Sequence, residues 1–315
     1  MSPSPACAVP AAFYLDVSDG HRLFVATAGA PGGEPVLVLH GGPGSGCSPR
    51  LAELYDPARH WLVMPDQRGA GRSAPAGACH ANTTAHLIAD LERLRRHLGI
   101  ARWRVTGGSW GATLALLYAA AHPAAVIGVV ARSVFLPGAG NVAAFFAAGG
   151  DVPAERVALA DAAGCPAGGD VLAALARRLD DPEPARAVRA AVAWAAYERA
   201  LAEPEAPPQA DLDAAAAECL VSKYRVQAHY LQAGAFVTEA GFLDACASLP
   251  GVPVTLIHGR LDRVCPPDNA RRVHARIPGS RLVWVDGCGH AAFHPAMVAA
   301  WRQALGEGWS LRPAC

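Results

Sequence analysis

Lysine is nearly absent from this chain: Lys223 is the single one, and arginine supplies the rest of its 27 basic residues. These balance 27 acidic residues, so the formal charge is zero. Without a basic footprint, nucleic acid is not expected as a partner. Long apolar runs are missing too. No stretch reaches the roughly eighteen uninterrupted apolar residues that a membrane span needs, so no membrane association is expected. Met1–Pro10 shows no basic segment leading into an apolar one, so a secretory signal is not expected either. Nine cysteines are scattered, odd in number and free of any C-x-x-C pair. That usage points to reduced, mostly buried thiols and a cytoplasmic protein. Charge is sparse, at 17% of residues against 52% hydrophobic, which excludes a disordered chain and leaves a packed one. A length of 315 residues fits one large α/β domain with an inserted subdomain, or two modest domains.

What is present is a repeating order of elements. Phe13–Val17 and Arg22–Thr27 alternate like a half-buried hairpin around Asp19-Gly20. Pro35–His40 is a continuous apolar run that stops at glycines, the pattern of a strand buried on both faces of a parallel sheet. The same signature recurs at Trp61–Met64, Trp103–Thr106, Val126–Ala131, Val252–His258 and Arg281–Val285. Helical patterns separate several of these runs. Ala85–Leu98 carries Leu87, Leu91, Leu94 and Leu98 as a 3.6-residue stripe, and Ser109–Ala121 and Pro267–Arg276 read as further helices. Strand, turn and helix in repetition predict a mostly parallel sheet flanked by helices. The repeat breaks between about Phe135 and Ala247, where the chain is Ala-rich, helical in character and free of strand-like runs. We expect residues 1–134 and 248–315 to form the sheet domain and 135–247 to be an inserted helical cap.

Gly107-Gly108-Ser109-Trp110-Gly111 is a G-x-S-x-G that follows a strand and opens a helix. A sharp turn there would hold the Ser109 hydroxyl clear of the sheet as a nucleophile. A Gly-rich turn with a serine cap would share the same five residues, so partners have to decide. A serine hydroxyl needs a base, and the base needs an orienting acid. Asp262 follows the Val252–His258 strand and His290 follows the Arg281–Val285 strand, in the chain order Ser, Asp, His. Asp286 is a rival acid, although it sits in the same loop as His290. The oxyanion of the transition state needs donors. His40-Gly41-Gly42-Pro43-Gly44 offers the N–H of Gly42, with Gly41 as the alternative, and Trp110 offers the second N–H. This glycine turn lacks the G-K-[ST] of a phosphate loop. His290 and His294 stand at i, i+4, but alanine replaces the glutamate of H-E-x-x-H, so no metal is expected.

Taken together, these blocks resemble the proline iminopeptidases (prolyl aminopeptidases), serine peptidases of the α/β-hydrolase fold that release an N-terminal proline. The matching segments are His40–Gly44, Asp66–Ser73 (DQRGAGRS), Gly107–Leu116 (GGSWGATLAL), Gly259–Pro266 (GRLDRVCP) and Gly287–His290. In the cap, Trp194–Glu198 looks like the family's W-x-x-W-E, with tyrosine for the second tryptophan. Val226–Tyr230 resembles its I-E-N-H-Y, with Gln227 where a glutamate is expected. The resemblance implies that Glu198 meets the substrate's free amine, that Gln227 is a neutral stand-in for a second carboxylate, and that Arg132 lies near the substrate pocket. It implies that Asp66–Ser73 buttresses the oxyanion loop.

The expected activity is therefore release of N-terminal proline from a short peptide or amide through an acyl-enzyme. Ser109, His290 and Asp262 would form its triad, with no cofactor. The alternative is an esterase, amidase or acyl-transfer enzyme of secondary metabolism on the same scaffold, for which Gln227 is the best support. A ligand receptor on this fold would keep the pocket and lose turnover. Epoxide hydrolases and dehalogenases would need an aspartate in place of Ser109. Cys265, three residues after Asp262, would let thiol reagents crowd the site. The sequence assigns no oligomeric state.

Overall fold

The computed structural model describes residues 11–147, 152–204, 212–249 and 251–306. The strands are β1 (Ala11–Asp16), β2 (Arg22–Gly29), β3 (Glu34–Leu39), β4 (His60–Pro65), β5 (Trp103–Gly108), β6 (Val126–Arg132), β7 (Val254–Gly259) and β8 (Arg281–Val285). They form one sheet in the order β1-β2-β4-β3-β5-β6-β7-β8. β1 and β2 pair antiparallel around the Asp19-Gly20 turn, β2 also runs antiparallel to β4, and every pairing from β4 onward is parallel. The helices are α1 (Thr84–His97), α2 (Trp110–Ala121), α3 (Ala139–Ala147), α4 (Pro153–Ala163), α5 (Val171–Leu179), α6 (Pro184–Ala202), α7 (Ala214–Gln232), α8 (Glu239–Ala247), α9 (Pro267–Arg276) and α10 (Pro295–Gly306).

Alternation along the buried strands feeds two cores. Leu37, Leu39, Val105 and Leu256 pack on one face with Leu87, Leu91 and Leu94 of α1, Leu114 of α2 and Val273 of α9. Val36, Val38, Val130 and Ile257 point to the other face, against Met297 and Trp301 of α10. A continuous Val/Leu run is what such a doubly covered strand requires. The third core belongs to the insertion: Leu159, Leu175, Trp194, Tyr197 and Tyr224 pack together, with Trp194 stacked on Tyr224 at a centroid distance of 4.8 Å. Asp170 and Asp213 cap α5 and α7 through the N–H groups of Ala173 and Ala216. α8 lies in the sequence range assigned to the cap, yet its Phe242, Leu243 and Cys246 pack in the first core of the sheet.

One cap helix sits directly on the loops of the sheet domain. A Cβ on Gly44 would lie 2.3 Å from the carbonyl oxygen of Lys223, and one on Gly69 would lie 3.0 Å from Val226 Cγ2. Glycine at those points lets α7 approach the loops after β3 and β4, which brings Gln227 against Gly42. The Asp66–Ser73 turn underneath is fastened by two ion pairs, each with a buried carboxylate. Asp66 accepts from Arg72 Nε at 2.8 Å and from the Cys47 N–H at 2.6 Å. Arg68 grips Asp90 of α1 through Nε (2.6 Å) and Nη2 (2.8 Å), and it also donates to Ser18 Oγ and the Ala81 carbonyl. Its side chain is fully buried. Removing one partner of such a pair strands the other in a low-dielectric site. Arg68→Met should therefore lower unfolding free energy by about 3–5 kcal/mol. Adding Asp90→Asn should recover part of that loss, and denaturant titration of the two variants measures both.

Candidate active site

The polar side chains collect above the C-terminal ends of β3, β5, β7 and β8, where open α/β sheets place their ligands. Ser109 is the corner between β5 and α2. Its backbone lies at φ 57° and ψ −123°, a shape that non-glycine residues rarely adopt. The strand and helix can meet this closely because Gly111 has no side chain: a Cβ there would sit 2.3 Å from the Leu39 carbonyl oxygen. The Ser109 N–H donates to the Arg132 carbonyl of β6 at 2.9 Å, which ties the turn to the neighbouring strand. The hydroxyl itself points toward Cys265 Sγ, 3.8 Å away, and in this rotamer makes no hydrogen bond with His290.

Asp262 and His290 are joined. His290 Nδ1 contacts Asp262 Oδ2 at 2.8 Å and Oδ1 at 3.1 Å. Asp262 is buried and also accepts from the N–H groups of Val264 (3.0 Å) and Cys265 (2.8 Å), so its loop folds around its own carboxylate. Burial would raise its pKa, but the His290 charge and hydrogen bond outweigh that, helped by His258 and the Cys265 N–H, and hold it at about 2. The stabilisation from this depressed pKa is full above the ordinary carboxylate value near pH 4 and fades as pH falls toward about 2. Asp286, the rival acid, is on the surface and paired with Arg260 at 2.6 Å. The structure brings Asp262, not Asp286, to the imidazole.

The glycine loop after β3 lies against the serine turn. A Cβ on Gly41 would meet the Gly108 carbonyl oxygen at 2.8 Å and Ser109 Cβ at 3.2 Å. Gln67 fixes this arrangement. Its Nε2 donates to the His40 carbonyl at 3.1 Å, its Oε1 accepts from Trp110 Nε1 at 2.9 Å, and its own N–H donates to His40 Nε2 at 3.0 Å. A single buried amide thus connects the two segments that carry Gly42 and Trp110. Burial lowers the His40 pKa, consistent with an imidazole that accepts from Gln67. The N–H of Trp110 opens α2, where helical N–H groups have no intrahelical acceptor.

An apolar chamber of about 60 Å³ adjoins the serine. Its walls include Trp110, Phe135, Phe145, Tyr230, Val264 and Cys265, and its polar edge is Glu198 with Gln227. Glu198 of α6 is met by three donors from α7. Gln227 Nε2 donates to Oε1, the Tyr224 hydroxyl donates to Oε2 at 2.9 Å, and Lys223 Nζ lies 3.4 Å from Oε2. Gln227 Oε1 is buried with no hydrogen-bond partner, and it lies 3.4 Å from where a Gly42 side chain would begin. Arg132 is elsewhere. Its Nη1 donates to the His290 carbonyl at 2.6 Å and to Ser133 Oγ at 3.2 Å, so its guanidinium steadies the histidine loop.

Four residues of this region escape sequence reasoning. Gln67 sits inside a block whose glycines and charges draw the attention. Lys223 and Tyr224 precede the recognisable cap segment and matter only because one turn of helix separates them from Gln227. His258 is the penultimate residue of β7, with Nε2 at 2.9 Å from the Cys265 carbonyl and 3.6 Å from Asp262 Oδ2. Its position at a strand end beside the candidate acid is the one signal the sequence offers.

The alpha/beta hydrolase fold family matches residues 34–296. A proline iminopeptidase of Xylella fastidiosa (strain 9a5c) is 36% identical over 311 aligned residues, covering 91% of this chain and 92% of its own. A probable proline iminopeptidase of Streptomyces coelicolor is 40% identical, with 88% and 89% covered. Among solved structures, a proline iminopeptidase-related protein of Thermus thermophilus aligns with a TM-score of 0.61 at 23% identity, over 94% of this chain and 97% of that one. That likeness concerns the fold; the two sequence relatives carry more. At such identity, along nearly the whole length of each chain, the protein belongs to the proline iminopeptidase family of the α/β-hydrolase fold.

Proposed function

We propose that the protein is a serine peptidase that releases N-terminal proline from short peptides or amides through an acyl-enzyme. The observation that carries the reading is the placement of Ser109 on a strained strand-to-helix turn, its hydroxyl 3.8 Å from the sulfur of Cys265, a residue that lines the small apolar chamber and donates its N–H to the Asp262 of the Asp262–His290 pair. In this reading Ser109 turns from Cys265 toward His290, whose Nε2 takes the hydroxyl proton as Oγ attacks the prolyl carbonyl. Asp262 accepts from Nδ1–H and stabilises the imidazolium. The N–H groups of Gly42 and Trp110 receive the oxyanion. The imidazolium then protonates the departing amine, and water, activated by the same histidine, clears the prolyl ester. A pyrrolidine ring suits a chamber walled by Trp110, Phe135 and Phe145, because a compact apolar ring gains from burial there without needing many polar partners. Arg132 acts through His290 and not on substrate. The free thiols among the described residues support a reducing, cytoplasmic setting. The esterase or acyl-transfer alternative draws its support from the Lys223–Glu198 pair, which leaves the chamber's edge without net charge.

Ser109→Ala should abolish turnover of proline p-nitroanilide, and a fluorophosphonate should label Ser109 alone. Asp262→Asn should keep the fold and cost about 10⁴-fold in kcat, as loss of the correct tautomer does in other triads. Wild-type rates on proline anilide that fall below those on simple acyl esters would favour the esterase reading instead. Cys265 yields a separate expectation. Burial, with Asp262 nearby, pushes its thiol well above the usual range, so it is held protonated and is a poor nucleophile. Iodoacetamide near pH 8 should modify exposed Cys219 before Cys265, with activity intact while only Cys219 has reacted. Peptide mapping against residual activity checks this.

A further inference from the structure

We propose that Lys223 is a built-in counter-ion for Glu198, so that the chamber takes the proline nitrogen as an uncharged N–H donor to Gln227 Oε1. This rests on the prolyl-peptidase reading above and refines what its site selects.

Glu198 presents two oxygens, and both are taken: Oε1 by Gln227 Nε2, Oε2 by the Tyr224 hydroxyl and the Lys223 ammonium. Lys223 is held there by more than the ion pair. Its Nζ is 3.2 Å from the Tyr224 hydroxyl oxygen and 4.4 Å from the centre of the Tyr224 ring. The ammonium and the carboxylate are each about a quarter exposed, and Glu198 lines the chamber. An incoming substrate ammonium would add a second positive charge beside one carboxylate. It would have to displace Lys223 or accept its repulsion.

Gln227 shows what the chamber offers in its place. With Nε2 committed to Glu198, the amide has one orientation, since a flip would set oxygen against carboxylate. Oε1 is then left buried and unpartnered beside Gly42, on a residue that lines the chamber. An unpaired buried acceptor costs free energy until a donor arrives. A neutral secondary amine supplies that one donor and asks for no counter-charge. The charged or titratable groups around the position are Glu198 and Arg199 of α6, Lys223, Tyr224 and Tyr230 of α7, and Cys265. Tyr224 stays a donor across the accessible pH range, because burial, with Glu198 beside it, raises its hydroxyl well above the usual value.

The test compares proline p-nitroanilide with cyclopentanecarboxylic acid p-nitroanilide, which has the same ring without the nitrogen. Titration of the triad affects both substrates alike and cancels in the ratio of their kcat/KM values. For the wild type that ratio should rise between pH 6.5 and 9.5, by up to tenfold per unit, until the substrate amine is deprotonated. Lys223→Met leaves Glu198 uncompensated and should raise the ratio at pH 6.5 by roughly ten- to a hundred-fold, the worth of one charge-assisted contact, and flatten its pH dependence. Lys223→Arg should keep the wild-type profile. Carbamylation by cyanate offers a second route, because the chain has one lysine, and it should reproduce the Met variant. A flat or falling wild-type ratio overturns the proposal, as does a folded Lys223→Met protein with an unchanged ratio. Turnover of acyl esters without any turnover of proline anilide would sink the peptidase reading alone. The same comparison, made by calorimetry with prolinamide and cyclopentanecarboxamide on Ser109→Ala, then decides the charge preference.

Discussion

The site depends on one strained residue. Ser109 holds φ 57° between a strand and a helix, a conformation that costs of order 1–3 kcal/mol and persists only where surrounding contacts insist on it. Those contacts are identifiable. Gly111 lets α2 touch the Leu39 carbonyl, Gly41 lets the loop after β3 touch Gly108, and the Arg132 carbonyl accepts the serine N–H. A methyl group added at either glycine would force the loop and the turn apart. The strain aims one hydroxyl out of the sheet, and the packing of two buried cores holds it there.

Charge is handled with the same economy. In a chain where charged residues are scarce, several near the site come in pairs: Asp66 with Arg72, Arg68 with Asp90, Asp262 with His290, and Glu198 with Lys223. The first two fasten the turn that carries Gln67, and Gln67 links the loop after β3 to Trp110. The third pair belongs to the proposed chemistry and the fourth joins two cap helices. Helix α7 joins these last two regions, because its close seat on Gly44 sets Gln227 over the same loop that presents Gly42.

Much of the fold was legible in the sequence because its signals are local. Arg281–Val285 and Pro267–Arg276 have the expected bounds, and Leu87, Leu91 and Leu94 all face the core. The strand-end positions of Ser109, Asp262 and His290 followed from the same pattern. What escaped was set by side chains from distant segments. α8 reads like its Ala-rich neighbours, yet packs with the sheet because Phe242 and Leu243 face α2 and α9 and not the cap. Arg132 stands near the site but turns its guanidinium to the His290 carbonyl, a choice no spacing encodes. The pairing of Lys223 with Glu198 crosses two helices and needs their rotation, which periodicity alone does not give.

Above all, Ser109 is proposed to carry the prolyl group between attack and hydrolysis. Rapid acid quench of the enzyme during turnover of a proline ester, followed by proteolysis and mass spectrometry, reads this directly. The expected result is a mass increment of one prolyl residue on the peptide that contains Ser109, absent from Asp262→Asn at the same reaction time. An unmodified Ser109 peptide during steady turnover, or a prolyl adduct on Cys265 instead, would contradict it.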